Sequence, residues 1–386
     1  MKCRDMREKW NGYVNGECSE DEEREIEEHI QSCAECEQFV DENLGEQKSI
    51  SQDALYPVLT HEQQHQIVRK AVWKNRLMTA LTALGIFFCI SLASMMITAL
   101  YYAFVGHTAN KVIQTSTQMT VPNVYSEGGV TSTNVFFNAD LQEDLRKQVG
   151  SESKYVGKYE GKMGFNHLNV TNSWLDLRYV VDLDFLHPGV YGSRSKEEQQ
   201  SLQWGLNETW NALDMLPEGT VSEVAISFDD FYTIDEVYQM LNDYSIDIVW
   251  YAIDTGMEGK RDSVFTGTRV WGIHEYAFES LLEEEKSSLI PERASGHLRE
   301  KAFKNGLQFL AEHKKLAKRV VWHLEEHGTL EEMIDYVDKN GVKSYGVVVT
   351  GPTKELLKLK DNKHVQYATL GVVDFWNWYG KPKVEY

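Results

Sequence analysis

The sequence predicts a chain of three parts: a small all-α module, one transmembrane helix, and a mixed α/β (or α+β) extracellular domain. Three observations support this prediction. The N-terminal segment is acidic and spaces its apolar residues as one face of a helix, residues 77–105 contain no charged side chain, and strand-like and helix-like segments alternate from residue 134 onward. A chain of 386 residues is long enough for two or three folded units.

Half of the net charge lies in the N-terminal segment. The whole chain carries −20 at pH 7, and residues 1–46 hold fifteen acidic against five basic side chains. This charge argues against a general nucleic-acid binder, because an acidic surface is repelled by the phosphate backbone. An acidic segment suits a basic surface on a protein partner. We therefore expect a protein partner and no direct contact with nucleic acid.

The N-terminal module, residues 1–45, is predicted to form short helices. Apolar residues at positions 6, 10, 13 and 14 fall on one helix face, and Gly12 or Gly16 would end that helix. Ser19 and Glu22 form an S-x-x-E capping box at the start of a second helix, whose first turn is acidic, as the helix dipole favours. A tighter turn then leads to a third helix, expected to begin near Phe39.

A candidate metal site lies at the end of the second helix, where His29, Cys33 and Cys36 follow the spacing H-x3-C-x2-C. Residues four apart share a helix face, so His29 and Cys33 project together. Cys36 follows Cys33 after two intervening residues, a spacing that lets the sulfurs of both residues bind one ion. Zinc takes four ligands in a tetrahedron, and Cys3 can supply the fourth if the first two helices pack antiparallel. Cys18 lies at the other end of the helix from His29, so Cys3 is the preferred fourth ligand.

Two alternative roles for these cysteines stay open. They could be structural, with a surface histidine beside them, or two of the thiols could form a disulfide or a redox switch. Redox sensing and zinc binding are compatible, because a thiol close to a metal is deprotonated and reactive. Four protein ligands leave no open position on the ion, which argues against a catalytic zinc.

The uncharged run from Leu77 to Val105 is 29 residues long. About 20 apolar residues cross the hydrocarbon layer of a bilayer, so this run can span it with some tilt. Four cations lie just before the run, at positions 69, 70, 74 and 76, whereas the first cation after it is Lys111. The positive-inside rule then places the N-terminus in the cytoplasm and residues 106–386 outside. We expect a single-pass protein of the cell membrane, in contact with membrane lipid.

The segments that flank the span have the composition of connections. Residues 45–60 are polar and contain Pro57, which is typical of a linker, and a helix from about residue 61 leads into the span. Residues 106–133 are rich in Ser, Thr, Asn and Gly, which favours a stalk. The expected divisions are 1–45 for the module, 46–76 for the linker and juxtamembrane helix, 77–105 for the span, 106–133 for the stalk, and 134–386 for the outer domain.

The outer domain is predicted from alternating patterns. Strands are expected at 221–228, 247–254, 345–351 and 366–376. Helices are expected at 233–241, around 296–325 and at 329–341, the last with Gly341 as its C-cap. The sequence contains no nucleophile motif, P-loop or dinucleotide fingerprint, so we do not expect an enzyme.

Residues 61–65 read HEQQH and match the H-E-x-x-H pattern of zinc proteases. His61 and His65 would share a helix face, with Glu62 as the general base. A protease also needs a third ligand and a substrate cleft, and the span begins twelve residues after His65. A third ligand would have to come from across the membrane. We therefore interpret this stretch as a juxtamembrane helix with polar histidines.

The combined N-terminal pattern resembles the zinc-binding anti-sigma family over residues 1 to about 45. The pattern is Cys3, then Tyr13-x2-Gly16-Glu17, then His29-x3-Cys33-x2-Cys36, with an acidic helix between. The resemblance implies a Zn²⁺ ion held by Cys3, His29, Cys33 and Cys36, and an extracytoplasmic-function sigma factor as partner. Cys18 departs from the family, which usually has leucine there.

A second resemblance lies near the C-terminus, where residues 344–359 read SYGVVVTGPTKELLKL and are similar to Bacillus-type sigma-factor regulators. Those membrane proteins combine a zinc module, one span and a large exterior domain. The resemblance implies a membrane-bound anti-sigma factor that controls transcription in response to envelope stress. The exterior domain would sense the state of the envelope or bind a second membrane regulator. The alternative from another class is a single-pass receptor whose zinc module serves only for assembly.

Overall fold

The computed structural model describes residues 1–47, 60–165, 167–174, 182–191, 194–260, 270–276, 281–282, 296–321, 324 and 328–379. Within it the chain divides into two compact units, residues 1–86 and 87–386. Part of the expected linker, residues 48–59 with Pro57, lies outside the described residues.

The N-terminal module consists of three helices, α1 (Cys3–Val14), α2 (Glu20–Ser32) and α3 (Ala34–Gln47). The predicted capping box is present, since the backbone N–H and the hydroxyl of Ser19 both donate to Glu22 Oε2, at 3.1 and 2.9 Å. The third helix begins at Ala34, earlier than the expected Phe39. Cys33 is the single residue between α2 and α3, and its backbone is extended. Acidic residues lie in the first turn of α3, where the helix dipole favours them.

The helices α1 and α2 pack antiparallel. The start of α1 lies beside the end of α2, and near the other end Lys9 Nζ contacts Glu22 Oε1 at 2.6 Å. The core of the module is small: Met6, Ile26 and Cys36 are its fully buried apolar residues among those described. A core of this size supplies little hydrophobic stabilisation, so a cross-link between the helices would add much to its stability.

The helix α4 (His61–Thr120) is 60 residues long. It begins where the sequence predicts the juxtamembrane helix and continues through the whole uncharged run. Among the described residues it is the one helix that is long and apolar enough to cross a membrane, by length and composition. Its apolar side chains between Leu77 and Phe104 are largely exposed, which is the arrangement a lipid-facing helix requires.

Residues 106–133, expected to form a stalk, have regular secondary structure. Residues 106–120 continue α4 with mostly buried side chains, and β1 (Val124–Thr133) belongs to a sheet. The polar composition misleads because the hydroxyls of Thr117 and Thr120 donate to the carbonyls of Ile113 and Ser116, at 2.8 and 2.7 Å. Such bonds to the preceding helical turn let threonine lie buried in a helix.

The first sheet has the order β1-β2-β3-β4 and contains β2 (Asn138–Val149), β3 (Glu152–Gly164) and β4 (His167–Trp174) beside β1. Every pairing in it is antiparallel. One face packs on the second half of α4, where Ala109 and Ile113 meet Leu141 and Leu145. The last part of α4 is therefore a structural element of the C-terminal domain.

The second sheet has the order β7-β6-β8-β5-β9, with β5 (Thr220–Tyr232), β6 (Asp247–Ile253), β7 (Gly272–His274), β8 (Ser344–Pro352) and β9 (Val365–Phe375). All its pairings are antiparallel too. The accompanying helices are α5 (Pro188–Tyr191), α6 (Lys196–Met215), α7 (Ile234–Leu241), α8 (Gly296–Glu312), α9 (Lys314–Val320), α10 (Leu330–Asn340) and α11 (Thr353–Leu357).

The antiparallel pairing decides between the two fold classes that the sequence left open, since an α/β domain requires parallel strands. The C-terminal domain is α+β. The four strands expected from the sequence correspond to β5, β6, β8 and β9, and the expected helices correspond to α7, α8 with α9, and α10. Gly341 is the C-cap of α10 with φ 78°, as predicted. The sequence analysis identified no strand of the first sheet.

Candidate metal centre

The structure brings together the four side chains that the sequence proposes as ligands. Cys3 is the first residue of α1, His29 lies in the last turn of α2, Cys33 caps that helix, and Cys36 lies in the first turn of α3. One donor atom from each of these residues lies within 4.8 Å of the other three. All three helices of the module therefore meet at this point.

The distances in the cluster fit a tetrahedral ion. The sulfurs of Cys3 and Cys33 are 3.7 Å apart, and Nε2 of His29 lies 3.5 Å from the sulfur of Cys36. A zinc ion with Zn–S distances of about 2.3 Å separates two sulfurs of its tetrahedron by about 3.8 Å. The donor set of three thiols and one imidazole is also one that zinc prefers in structural sites. The role of these residues as ligands stays a prediction.

The thiols of the cluster differ in how readily they lose a proton. Burial raises the pKa of the Cys36 thiol to about 11. The backbone N–H of Cys36 lowers the pKa of the Cys33 thiol. Three thiols this close cannot all lose their protons unless a positive charge compensates them, because like charges at short distance repel. A divalent cation would supply that compensation and convert the thiols to ligands.

Cys18 does not belong to the cluster. It lies in the connection between α1 and α2, partly buried, and its sulfur faces Gly12 of α1. The geometric argument that favoured Cys3 over Cys18 therefore agrees with the placement of the side chains. No disulfide is formed by the five cysteines, all of which are free.

The HEQQH stretch is the first turn of α4. The rings of His61 and His65 stack with centroids 5.0 Å apart, and both residues are exposed. Within the described part of the chain, no third histidine, cysteine or carboxylate joins them in a metal-binding group. The geometry matches a juxtamembrane helix with two exposed histidines.

A groove of about 580 Å³ lies on the module. Its walls are mainly apolar, with two carboxylates and one amide, and consist of Trp10, Tyr13, Val14, Glu23, Glu27, Ile30, Gln31 and Val40. Its shape is held by stacking of Trp10 on Tyr13 and by the bond from the Tyr13 hydroxyl to Glu27 Oε1 at 3.0 Å. This groove was not predicted from the sequence. A usable signal was present, because the apolar stripe of α1 extends past the residues that fill the core.

Three known families match successive parts of the chain. Residues 3–36 match the family described as "Putative zinc-finger", residues 65–154 match "Sigma factor regulator N-terminal", and residues 213–372 match "Sigma factor regulator C-terminal". No solved structure matches the chain.

A curated relative matches along nearly the whole length. The chain is 28% identical over 388 residues to the "Probable anti-sigma-M factor YhdL" of Bacillus subtilis (strain 168), an alignment that covers 98% of this chain and 100% of the relative. The zinc-finger match contains all four clustered donors, and the two regulator matches follow it in order. The resemblance stated from the sequence is thereby confirmed: the three family matches and the full-length similarity support an anti-sigma factor family for this chain.

Proposed function

We propose that this protein is a membrane-bound anti-sigma factor that sequesters an extracytoplasmic-function sigma factor through its N-terminal module. The observation that carries the proposal is the full-length similarity to a relative described as an anti-sigma factor, with module, long helix and C-terminal domain in one order. Sequestration lowers the concentration of free sigma factor by mass action, so less of it reaches RNA polymerase.

The metal cluster would hold the module in its binding shape. We assign zinc to Cys3, His29, Cys33 and Cys36, where it would join the start of α1 to the end of α2 and the beginning of α3. Such a closed four-ligand site is structural, because no coordination position is left for a substrate. Its contribution is to fix three short helices whose shared core is small.

The position of cations at the two ends of the span supports a cytoplasmic module. Arg69, Lys70, Lys74 and Arg76 precede the uncharged run, and Lys111 is the first cation after it. By the positive-inside rule the C-terminal domain would lie outside the cell, where it would detect the state of the envelope or bind a second membrane regulator.

The experiment that tests the function is co-purification of the full chain with the sigma factors of its host. The variants Cys33→Ala and His29→Ala should lose stoichiometric zinc and the bound sigma factor together. Cys18→Ala and His65→Ala are matched controls outside the cluster, and both should keep zinc and partner. Failure of the unaltered chain to retain any host sigma factor would contradict the proposal, and so would release of the partner by His65→Ala.

We place the sigma-factor contact in the groove defined above. Apolar walls beside Glu23 and Glu27 suit a partner surface that carries apolar and basic side chains, as a protein that binds promoter DNA does. The module as a whole is acidic, which would speed the encounter with such a partner.

Charge reversal within α2 tests this placement. Glu23→Lys changes a side chain of the groove wall, and Glu28→Lys makes the same change on an exposed residue of the same helix outside the groove. We expect Glu23→Lys to weaken sigma-factor binding about tenfold or more with zinc retained, and Glu28→Lys to change it less than about threefold. Equal effects of the two variants would show that total charge matters and the groove does not.

A further inference from the structure

Two hairpin turns of the first sheet end in exposed phenylalanines. The β1–β2 turn contains Phe136 and Phe137, and the β3–β4 turn contains Phe165; we call these three residues the aromatic tips. All three have left-handed backbones, with φ of 56°, 56° and 52°. Bulky residues rarely adopt this conformation, and it persists where the surroundings enforce it. Phe136 and Phe165 are 49% and 57% exposed, so the fold holds large apolar side chains in the open.

The aromatic tips lie against α4 inside the predicted span. The backbone N–H of Phe136 donates to Ser94 Oγ at 2.8 Å, and that of Phe137 donates to Thr98 Oγ1 at 3.0 Å. The hydroxyl of Tyr102 donates to the carbonyl of Phe137 at 2.7 Å. Three residues of the uncharged run thus form hydrogen bonds with the backbone of the β1–β2 turn.

The depth of these contacts follows from helix geometry. Ser94 and Thr98 lie about 27 and 33 Å along α4 from Arg76, the last cation before the run, at a rise of about 1.5 Å per residue. The hydrocarbon layer of a bilayer is about 30 Å thick. The contacts are therefore at the level where the hydrocarbon layer ends, on the side of the membrane away from Arg76.

The backbone of the aromatic tips is satisfied within the protein. The carbonyl of Phe136 accepts from the side-chain amide of Asn138 at 3.2 Å, and the carbonyl of Phe137 accepts the N–H of Phe165 at 3.1 Å. The carbonyl of Val135 accepts the backbone N–H of Asn138 at 3.3 Å. Because these polar groups are paired within the protein, they would not be left unsatisfied beside lipid, where every unpaired backbone group is costly.

The neighbouring surface of α4 is apolar and open at the same level. Met96 and Leu100 are 75% and 71% exposed. The rings of Phe137 and Phe165 stack with centroids 4.5 Å apart, which joins the two tips into one apolar unit beside the helix. Aromatic side chains favour the boundary between hydrocarbon and headgroups.

We propose that the aromatic tips insert into the phospholipid interface at the end of the span away from Arg76, and so seat the first sheet directly on the membrane. The occupant is the lipid of the bilayer, because the exposed tips continue the surface that α4 presents to lipid. The inference needs α4 to cross the membrane and is independent of sigma-factor binding.

A matched control residue lies at the opposite end of the first sheet. Phe375 is 85% exposed, and its neighbour Asn377 donates to the carbonyl of Val149 at 3.0 Å. Val149 ends the strand that begins at Asn138 beside the first tip. The eleven residue-to-residue steps from Asn138 to Val149 span about 36 Å of extended strand. Phe375, beside the Val149 end, is therefore far from the lipid if the aromatic tips are inserted in it.

Photo-crosslinking of the full chain in phospholipid nanodiscs tests the proposal. Benzoylphenylalanine replaces, one at a time, Phe136, Phe165, Phe375 and Phe88. Phe88 is the positive control, because it is 63% exposed on α4 and lies about 18 Å along the helix from Arg76, within the hydrocarbon layer. We expect lipid adducts by mass spectrometry at Phe136 and Phe165 in a yield similar to that at Phe88, and none at Phe375. Adducts to a second copy of the chain, or tips that behave like Phe375, would overturn the proposal. Absence of adducts at Phe88 as well would overturn the span itself, and the insertion with it.

Hydroxyl-radical footprinting of the unaltered chain in the same nanodiscs is independent of any substitution. The half-exposed Phe136 and Phe165 should be protected from oxidation, because lipid covers them, whereas Phe375 should be oxidised. Oxidation of the tips at the rate found for Phe375 contradicts insertion even if the crosslinking variants are well folded.

Discussion

Lys147 Nζ lies 2.9 Å from Glu223 Oε2, and both side chains are buried. Lys147 comes from β2 of the first sheet and Glu223 from β5 of the second. The same carboxylate accepts from the side chain of Asn123 at 2.6 Å and from the backbone N–H of Val372 at 3.1 Å. This ion pair therefore joins the two sheets. Asn123 and Val372, which also bond to its carboxylate, come from two further segments of the domain.

Loss of this pair should destabilise the domain strongly. Lys147→Met leaves Glu223 buried without its counter-charge, and we expect the free energy of unfolding to fall by about 3–5 kcal/mol. The measurement is a urea titration of the detergent-solubilised chain, followed by tryptophan fluorescence.

Two further variants sharpen the test of the ion pair. Lys358→Met removes the exposed pair of Lys358 and Glu355 and should cost less than about 1 kcal/mol. The double variant Lys147→Met with Glu223→Gln removes both charges and should recover a large part of the loss. A Lys147→Met variant as stable as Lys358→Met would disprove the role of the pair.

Stability should fall as the pH drops below 6.5, because of His274. This histidine is fully buried, and its burial lowers its pKa to about 3. The unfolded chain binds the proton near pH 6.5 while the folded chain does not, so the contribution of His274 is complete above pH 6.5 and is lost below it. The expected loss between pH 6.5 and 5.5 is about 1 kcal/mol.

Unfolding titrations at several pH values compare the unaltered chain with His274→Asn. The free energy of unfolding of His274→Asn should fall less steeply as the pH drops from 6.5 to 5.5. His297→Asn changes an exposed histidine of α8 and should leave the decline unchanged. An identical pH dependence for the unaltered chain and His274→Asn would count against the prediction.

Gly341 is required for its backbone conformation. It has φ 78° and ψ 168°, a region open almost only to glycine, and a Cβ there would meet no atom within 4 Å. Gly341→Ala should therefore cost about 1–2 kcal/mol from strain alone. Gly219→Ala is the control, since Gly219 also has free space and its φ lies outside the left-handed region. Thermal unfolding should separate the two variants, and equal midpoints would exclude strain as the cause.

Removal of the metal should loosen the module and leave the sheets unchanged. A zinc chelator added to the full chain should raise amide hydrogen exchange in α1, α2 and α3 about tenfold or more, because the metal would be the main link among them. Exchange in β5 and β8 should not change, and added zinc should restore protection. The variant Cys36→Ser should exchange fast with or without chelator. Equal protection of the module with and without the chelator would argue that the cysteines bind no metal and only pack in the core.

Local patterns in the sequence were sufficient for the module and the span. Ser19 with Glu22 defines the start of α2 through bonds between residues three apart. His29 lies in the last turn of that helix and Cys33 is its C-cap, so both reach the cluster from one helix end. The uncharged run needs no partner to be recognised, since its length alone matches the hydrocarbon layer. The choice of Cys3 needed one assumption about packing, and the antiparallel helices satisfy it.

The strand β2 was not predicted because only four of its twelve residues are apolar and two of its buried positions are charged. Along β2 the buried residues alternate as a strand requires, but Glu143 and Lys147 occupy two of the buried positions. Their partners, Gln114 and Glu223, lie 29 and 76 residues away in the chain. Prediction from the spacing of apolar residues therefore assigns such a strand to a polar loop.

The sequence by itself therefore determined the helical module with its four donors, the helix that is long and apolar enough to span a membrane, and the strands that are rich in apolar residues. Only the tertiary structure decided that the pairing is antiparallel, that the supposed stalk is a helix and a strand, and that the aromatic tips lie beside the span. The reason is physical. Helix caps, helical faces and hydrophobic length depend on neighbours in the chain, whereas buried charges and polar helix surfaces are stable only through partners that folding brings from afar.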